Sequence, residues 1–548
     1  MHVPARRWCA AFGAALLLAG SAGCAANPGP PPLVDPAEVQ DALGGDTSAN
    51  DAGDSAAEPD EETSTSKPTQ GPERTQITVG TDTLRNGLNP HLRADESAMV
   101  RSIANLVLPS AFVDGVRNDE LLVAATRLPT SSYAMTVRYV IAPEAQWSDG
   151  TPITGADFAY LWRGMSHTPG AIDAEGYGAI VGVRVSGDGG KVVDVDFARP
   201  VGQWQSLFQH LLPAHLFAAD ASDFRAALHD TIPASAGRYM VREVDRGRGT
   251  VTLNRNDRFW GESPAQIDII NLQEVRTTTQ VADQLRAGQL AFLDKTPQET
   301  SSRVLDLLPS TQTRLISTPR TLGVNVSVNS GLSRGMREEL RSLIDVPLLA
   351  PISAGRSADL DPAEPTPPLE GEPVRLQQFV EKYRPLRIGV DASDTAASAA
   401  ARSLADILNG RGVRASVVST DTASLLSSSM PEGNVDVLVG WRYDAGTTTQ
   451  LAGRVACPTG KYLEENVSGL CTQENQLLAS AILSGEVGQG EAARRVADIE
   501  QQEVLWVPVV RERRILALGT TIDGPDADLQ RWNQGLSSAA QWTLTGTE

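Results

Sequence analysis

The sequence predicts an exported α/β protein of two or three domains whose core includes a partly parallel sheet. Three observations carry that reading. At 548 residues and 41% hydrophobic content, the chain is too long for one core and too apolar to be disordered. Its first 24 residues have the layout of an export signal. Between residues 385 and 441, strand and helix patterns alternate as they do in a βαβ unit.

The signal comes first in the chain. Arg6 and Arg7 form a basic start, the run from Ala10 to Gly20 is apolar, and Ser21, Ala22 and Gly23 precede Cys24. The run is too short for a bilayer span of about 20 helical residues, so residues 1–23 are read as a cleaved signal. The ending Ser-Ala-Gly-Cys resembles the bacterial lipobox, in which the cysteine becomes the new N-terminus and carries lipid. Ser21 stands where leucine is usual, which leaves ordinary secretion as the alternative. No other segment approaches spanning length, so the remainder is expected at the outer face of the cytoplasmic membrane.

Residues 24–75 read as a lipid-anchored, disordered tether. From Ala25 to Arg74 the chain is rich in Pro, Gly, Ser, Thr, Asp and Glu and nearly empty of large apolar residues. Eleven acids stand there against Lys67 and Arg74, so nearly half of the net charge of −20 belongs to the tether. The acidity is therefore a matter of solubility and spacing, and it argues against nucleic acid as a partner.

The folded part opens with QITVGT at 76–81, an alternating strand, then the loop LNPHL at 88–92 and an apolar segment reaching LVLPSAF at 106–112. Alternation returns in YAMTVRYVI at 133–141. Ser148, Asp149, Gly150 and Pro152 then end the strand. Thr154 is placed to cap the next helix, with Asp157 answering as a capping-box carboxylate near the positive end of the dipole. Phe158, Leu161 and Trp162 follow at helical spacing, so WSDGTPITGADFAYLWR at 147–163 is read as scaffold and not as ligand contact.

A hairpin is signalled by AGRYMVREV and TVTLNRN around the turn DRGRG, followed by the strand IDIINLQEV and the helix TTTQVADQLRAG, which stops near Gly288. A strand is expected from about 321 to 329, and a helix at REELRSLID. Beyond the Pro-rich loop 359–373, PLRIGVDA, RASVVST and VDVLVGW read as strands and TAASAAARSLADILNG as a helix. EAARRVADIEQQEV then delivers the chain to LWVPVVRERRILAL.

In an oxidising compartment Cys457 and Cys471 are most economically a disulfide, worth about 3 kcal/mol by loop closure. A metal pair is the rival reading, but no His follows residue 229 and no second cysteine pair is available to complete a site.

Catalytic motifs do not assemble. GLSRG at 331–335 matches the G-x-S-x-G nucleophile elbow, yet all six histidines precede Ser333, against the order that architecture requires. Ser333 is therefore read as a turn and helix start. STSK at 64–67 lies in the tether, where nothing desolvates its lysine. His210 and His215 are separated by Pro213 and share no helical face, and GVDAS after the strand at 386–390 lacks the spacing of a phosphate loop. No catalytic residue, metal site or cofactor is expected, which points to binding. Trp441 and Tyr443, at the end of VDVLVGW, stand where open parallel sheets place ligands. Trp204 is a further candidate, with core packing the alternative for each.

LNPHL, PEAQWSDGTPITGADFAYLWR, AGRYMVREV with VTLNRNDRFWG, VADQLRAGQL, REELRSLID and VDVLVGW stand in an order and spacing that resemble the family 5 solute-binding proteins. These are the peptide, nickel and oligosaccharide receptors of ABC importers, and the resemblance runs from about residue 76 onward. LVLPSAF, LLPAH, LIDVPLLA, VLVGWR and the cysteine pair are similar to an actinobacterial lipoprotein branch linked to phosphatidylinositol mannoside and lipoarabinomannan synthesis.

The resemblance implies a two-lobed periplasmic-binding-protein fold of the class II, cluster C type, with mixed sheets and an extra subdomain in the first lobe. Residues 76–100, 230–325 and 505–548 form lobe I in this reading, 101–229 its subdomain and 326–504 lobe II. LGVNVSVNS and the segment leading to LWVPVV are the crossings about which the lobes hinge. It also implies ligand contacts at Trp441, Tyr443 and Asp444, with Asn89 of LNPHL and Trp204 as further candidates. In peptide-binding members an acid near the position of Asp444 pairs with the ligand's α-amino group. The Asp-Pro that usually follows is replaced by Ala445 and Gly446, which weighs against a free-amine peptide. The implied ligand is a glycolipid or a peptide, the implied partner a membrane permease or membrane biosynthetic enzyme, and the implied state a monomer. A secreted hydrolase is the most distant reading.

Overall fold

The computed structural model describes residues 74–459 and 465–546. The chain divides into two units, Met1–Gly71 and Pro72–Glu548. The expected signal, the lipid-bearing Cys24 and all but the last two residues of the tether lie outside the described residues.

One 11-stranded sheet organises the second unit. At one edge lie Ala415–Thr420, Leu386–Asp391 and Val437–Tyr443, paired in parallel through Leu386–Asp391. At the other lie Phe292–Lys295, Gln76–Thr81, Ile269–Glu274, Thr250–Arg255 and Tyr239–Asp245. Two long antiparallel strands, Gln312–Val326 and Trp506–Leu518, run between these groups and belong to both. The turn DRGRG closes an antiparallel hairpin, and Gly249 takes φ +66° there.

A separate four-stranded antiparallel sheet, ordered Leu122–Leu128, Met135–Ile141, Val192–Phe197 and Ile180–Ser186, carries the helix Gly155–His167. Thr154 Oγ1 accepts from the Ala156 amide, and the Asp157 carboxylate accepts from the Thr154 amide at 2.8 Å, completing the capping box. Phe158, Tyr160 and Leu161 are fully buried, as is Trp147 just upstream. Gly164 is needed for packing: a Cβ there would stand 2.0 Å from the Phe224 ring.

Two large cores result. One joins the four-stranded sheet to the strands around Gln76–Thr81; the other lies between the helix Thr395–Gly410 and the strands Leu386–Asp391 and Val437–Tyr443. The helices Thr448–Val455, Gln473–Ser484 and Gln489–Gln502, assigned to lobe II from the sequence, bury Leu451, Ile482 and Val496 in the first core. Cys457 and Cys471 are joined in a disulfide between the first two of these helices. Among the described residues, no helix is long and apolar enough to cross a membrane.

Candidate ligand site at the crossing strands

The two long strands lose their regular pairing at one place. Ser317 pairs with Arg513 and Thr321 with Arg511, so Thr318, Pro319 and Arg320 together oppose Glu512. Pro319 has no amide hydrogen to give to a ladder, and such a bulge re-aims neighbouring side chains. Arg320 Nε meets Glu96 Oε2 at 2.6 Å and its Nη1 meets Glu512 Oε1 at 3.0 Å, with all three residues buried. Thr318 Oγ1 donates to the other oxygen of Glu512 at 2.8 Å. Burial alone would raise the Glu96 carboxyl, but Arg320 and Arg101 outweigh it and hold the group below its ordinary value.

Arg514, two residues beyond Glu512, is likewise buried and pairs with buried Asp294 at 2.5 Å and half-buried Asp82 at 2.8 Å. Burial opposes the charge of Arg514, but Asp294 and Asp82 prevail and raise its pKa. These ion pairs bring four remote parts of the chain to the crossing.

The aromatic residues at the end of Val437–Tyr443 face this network. The Arg320 guanidinium lies 4.4 Å from the Trp441 ring centre, and that of Arg101 lies 3.4 Å from the Tyr443 ring centre. Two cavities flank the network. The smaller, of about 50 Å³, is lined by Trp441, Asn325, Arg85 and Asp394, and the buried Trp441 Nε1 has no hydrogen-bond partner there. The larger, of about 1320 Å³, is lined by Tyr443, Arg101, Phe259, Trp260 and the C-terminal segment around Trp532. Glu96 and Arg320 border both.

Asp444 is placed differently. Its carboxylate meets Arg454 Nη2 at 2.8 Å, and the Arg454 side chain is only 6% exposed. Burial would raise the Asp444 carboxyl, but Arg454 more than offsets it and lowers the pKa. The acid thus has an internal counter-ion and lines neither cavity.

Two of the expected ligand residues, Asn89 and Trp204, line neither cavity. Asn89 is fully buried, its side-chain nitrogen donating to the Phe224 carbonyl at 3.0 Å and its oxygen accepting from the His91 amide at 3.1 Å. These bonds hold the loop around His91 to the Phe224 segment. Trp204 packs edge-on against Phe112 and Tyr139 at 5.3 and 5.9 Å, inside the first core. Ser333, the elbow candidate, caps the helix Arg334–Leu343 by accepting from the Met336 amide. Among the described residues no group of His, Cys, Asp and Glu is placed to hold a metal ion.

Sequence reasoning missed Glu96, Arg101, Arg320, Glu512 and Arg514. A signal for two of them exists in RERR at 511–514, a charged run inside an otherwise apolar strand, in which Glu512 and Arg514 take the buried face.

A mixed sheet threaded by two long strands, with cavities beside their bulge, is the architecture of the periplasmic-binding-protein fold. The chain belongs to the bacterial extracellular solute-binding proteins of family 5, whose middle-region model matches residues 123–336. It is 31% identical over 527 residues to the Probable monoacyl phosphatidylinositol tetramannoside-binding protein LpqW of Mycobacterium tuberculosis, covering 83% of this chain and 78% of that protein. It is 32% identical over 177 residues to the oligopeptide-binding protein OppA of the same species, covering 31% of this chain and 30% of that one. Among solved structures, the oligopeptide-binding protein AppA of Bacillus subtilis in complex with a nonapeptide shares the fold. Its TM-score is 0.64 at 12% identity, over 86% of this chain and 99% of that one. The family is a substrate-binding class and not an enzymatic one.

Proposed function

We propose that this chain is an extracytoplasmic binding protein, lipid-anchored through Cys24, that holds a glycolipid of the mannosylated phosphatidylinositol class in the cell envelope. It acts without catalysing a reaction, and it hands its ligand to, or regulates, a membrane biosynthetic enzyme. The observation that carries this choice of ligand is the Asp444–Arg454 pair. The carboxylate that would receive a peptide's α-amino group is already paired with a buried arginine, and diverting it to an amine would take away the one acid in ion-pair contact with that guanidinium among the described residues. The tetramannoside-binding function in the name of LpqW supports the same reading.

A second reading, a peptide or small-solute receptor delivering to an ABC permease, draws support from the likeness to OppA and to the nonapeptide-bound AppA. Mass spectrometry of material co-purifying with the protein from its native envelope separates the two. A mono- or diacylated mannolipid is the expected outcome. A mixture of peptides would overturn the first reading in favour of the second.

A further inference from the structure

Resting on the glycolipid reading above, we propose that the larger cavity takes an uncharged glycan whose hydroxyls are bonded by Arg101 and by the side-chain amides of Asn533, Gln534 and Gln541. The sugar portion of the ligand then fills the cavity, and its phosphate lies outside.

Charge balance is the first argument. Five arginines and six carboxylates line the cavity. Arg320 is held between Glu96 and Glu512, Arg514 by Asp294 and Asp82, Arg238 by Glu120 at 2.7 Å and Arg531 by Asp526 at 3.5 Å. A phosphate entering here meets no surplus of positive charge and carries its full desolvation cost. A neutral hydroxyl avoids that cost.

Unused hydrogen-bonding capacity is the second. Arg320 and Arg514 each engage Nε, Nη1 and Nη2 with protein oxygens. Arg101 engages only Nη2, with Glu96 at 3.2 Å, while its guanidinium lies against the Tyr443 ring. Nε and Nη1 make no hydrogen bond within the described residues, so two of its three nitrogens keep donors free for a ligand. The side-chain amides of Asn533, Gln534 and Gln541, exposed along the C-terminal segment, are likewise without a partner among the described residues. An amide both donates and accepts, as a sugar hydroxyl does. The cavity volume of about 1320 Å³ exceeds the roughly 300–1,000 Å³ typical of small-ligand sites, which leaves room for several sugar rings.

The test is calorimetric titration of the full-length protein with neutral mannotetraose, with glycerophosphoinositol and with an intact phosphatidylinositol tetramannoside. Mannotetraose is expected to bind with an affinity that does not change with salt, and glycerophosphoinositol is expected not to bind. Arg101→Gln is expected to weaken mannotetraose about tenfold or more, the effect of losing hydrogen bonds to a charged donor. A Gln534→Ala, Gln541→Ala double variant, altered only on the exposed segment, should weaken it in the same direction at unchanged Tm, and it carries the test if Arg101→Gln fails to fold. Salt-dependent binding of glycerophosphoinositol with none of mannotetraose would overturn the glycan placement and leave the glycolipid reading standing. Failure of the intact glycolipid to bind would remove both.

Discussion

Two stretches of this chain carry dense aromatic and charged residues, and they do opposite things. In WSDGTPITGADFAYLWR, Trp147, Phe158 and Tyr160 are buried, and Asp157 answers its own helix cap. In VLVGWRYD, Trp441, Arg442, Tyr443 and Asp444 are all half-buried, and their partners include Arg320, Glu500, Arg101 and Arg454. The first stretch packs its aromatic rings into the core, and its polar groups are met both by its own cap and by residues 214–235, as Asp157 is by the Ala214 amide and Tyr160 by Asp223; the second keeps its rings at the cavities, under the guanidinium groups of Arg320 and Arg101. Aromatic density therefore marks scaffold and site alike, and the burial of the rings separates them: complete for Trp147, Phe158 and Tyr160, partial for Trp441 and Tyr443.

Phe158→Ala should break the first stretch most severely. The ring lies 5.4 Å from Tyr139 and 4.9 Å from Phe208 by ring centres, and is fully buried. Truncation leaves a cavity costing about 3–5 kcal/mol, readable as a lower urea midpoint at unchanged m-value. Ligand binding by the surviving folded fraction should be unaltered, because nothing in that cluster lines the cavities at the crossing.

Arg320→Met attacks the second stretch at a similar cost, about 3–5 kcal/mol, because Glu96 and Glu512 lose their shared buried partner. Here binding should fall together with stability, since Arg320 borders both cavities. The pH dependence distinguishes this loss from a packing defect. The Glu96 carboxyl is depressed in the folded protein. Its contribution is present above the unfolded value of about 4.3 and disappears as pH falls through the lower folded value. Stability curves of wild type and variant should therefore converge as pH falls below about 4.3 and through the lower folded value. Parallel curves throughout would show that the carboxylates are not what Arg320 stabilises.

Asp173 offers a smaller and opposite pH effect at the edge of the second stretch. Its Oδ2 accepts from Thr447 Oγ1 at 2.9 Å, its amide donates to Glu465 at 2.7 Å, and its other oxygen is buried without a partner. Burial, reinforced by Glu465 and opposed by Thr449, Thr447 and Arg454, raises its pKa to about 7. The folded state then holds a proton that the unfolded chain releases near pH 4, so this group's contribution declines as pH rises from about 4 to about 7. Asp173→Asn should flatten that part of the stability profile, as followed by thermal melts across the range. An unchanged slope would assign it to other groups.

What could be read beforehand divides by the range of the contact. The strands QITVGT and LRIGVD, the capping box at Thr154 and the hairpin about DRGRG rest on neighbours a few residues apart, and each stands where the pattern places it. Trp441 and Tyr443 were legible as a strand end, a local property. Arg320 and Arg514 were not, because Glu512 lies 192 residues from Arg320 and Asp82 lies 432 residues from Arg514. No periodicity records a pairing at that distance. The burial of Asn89 and Trp204 was not legible for the complementary reason: a polar loop and an aromatic residue look alike in sequence whether they face a core or a ligand.

The mildest perturbation tests the scaffold half of the comparison most directly. Thr154 contributes one side-chain acceptor to the start of a 13-residue helix, and Thr154→Ala removes it while keeping the backbone amide that donates to Asp157. One half of the capping box survives, so the expected loss is about 1 kcal/mol, within the range for a cap deleted to alanine. Because the acceptor serves only its own helix, the loss should be independent of ligand and additive with Arg320→Met when both are measured by urea unfolding. A coupling well beyond about 0.5 kcal/mol would mean that the capped helix and the crossing strands do not act as separate regions.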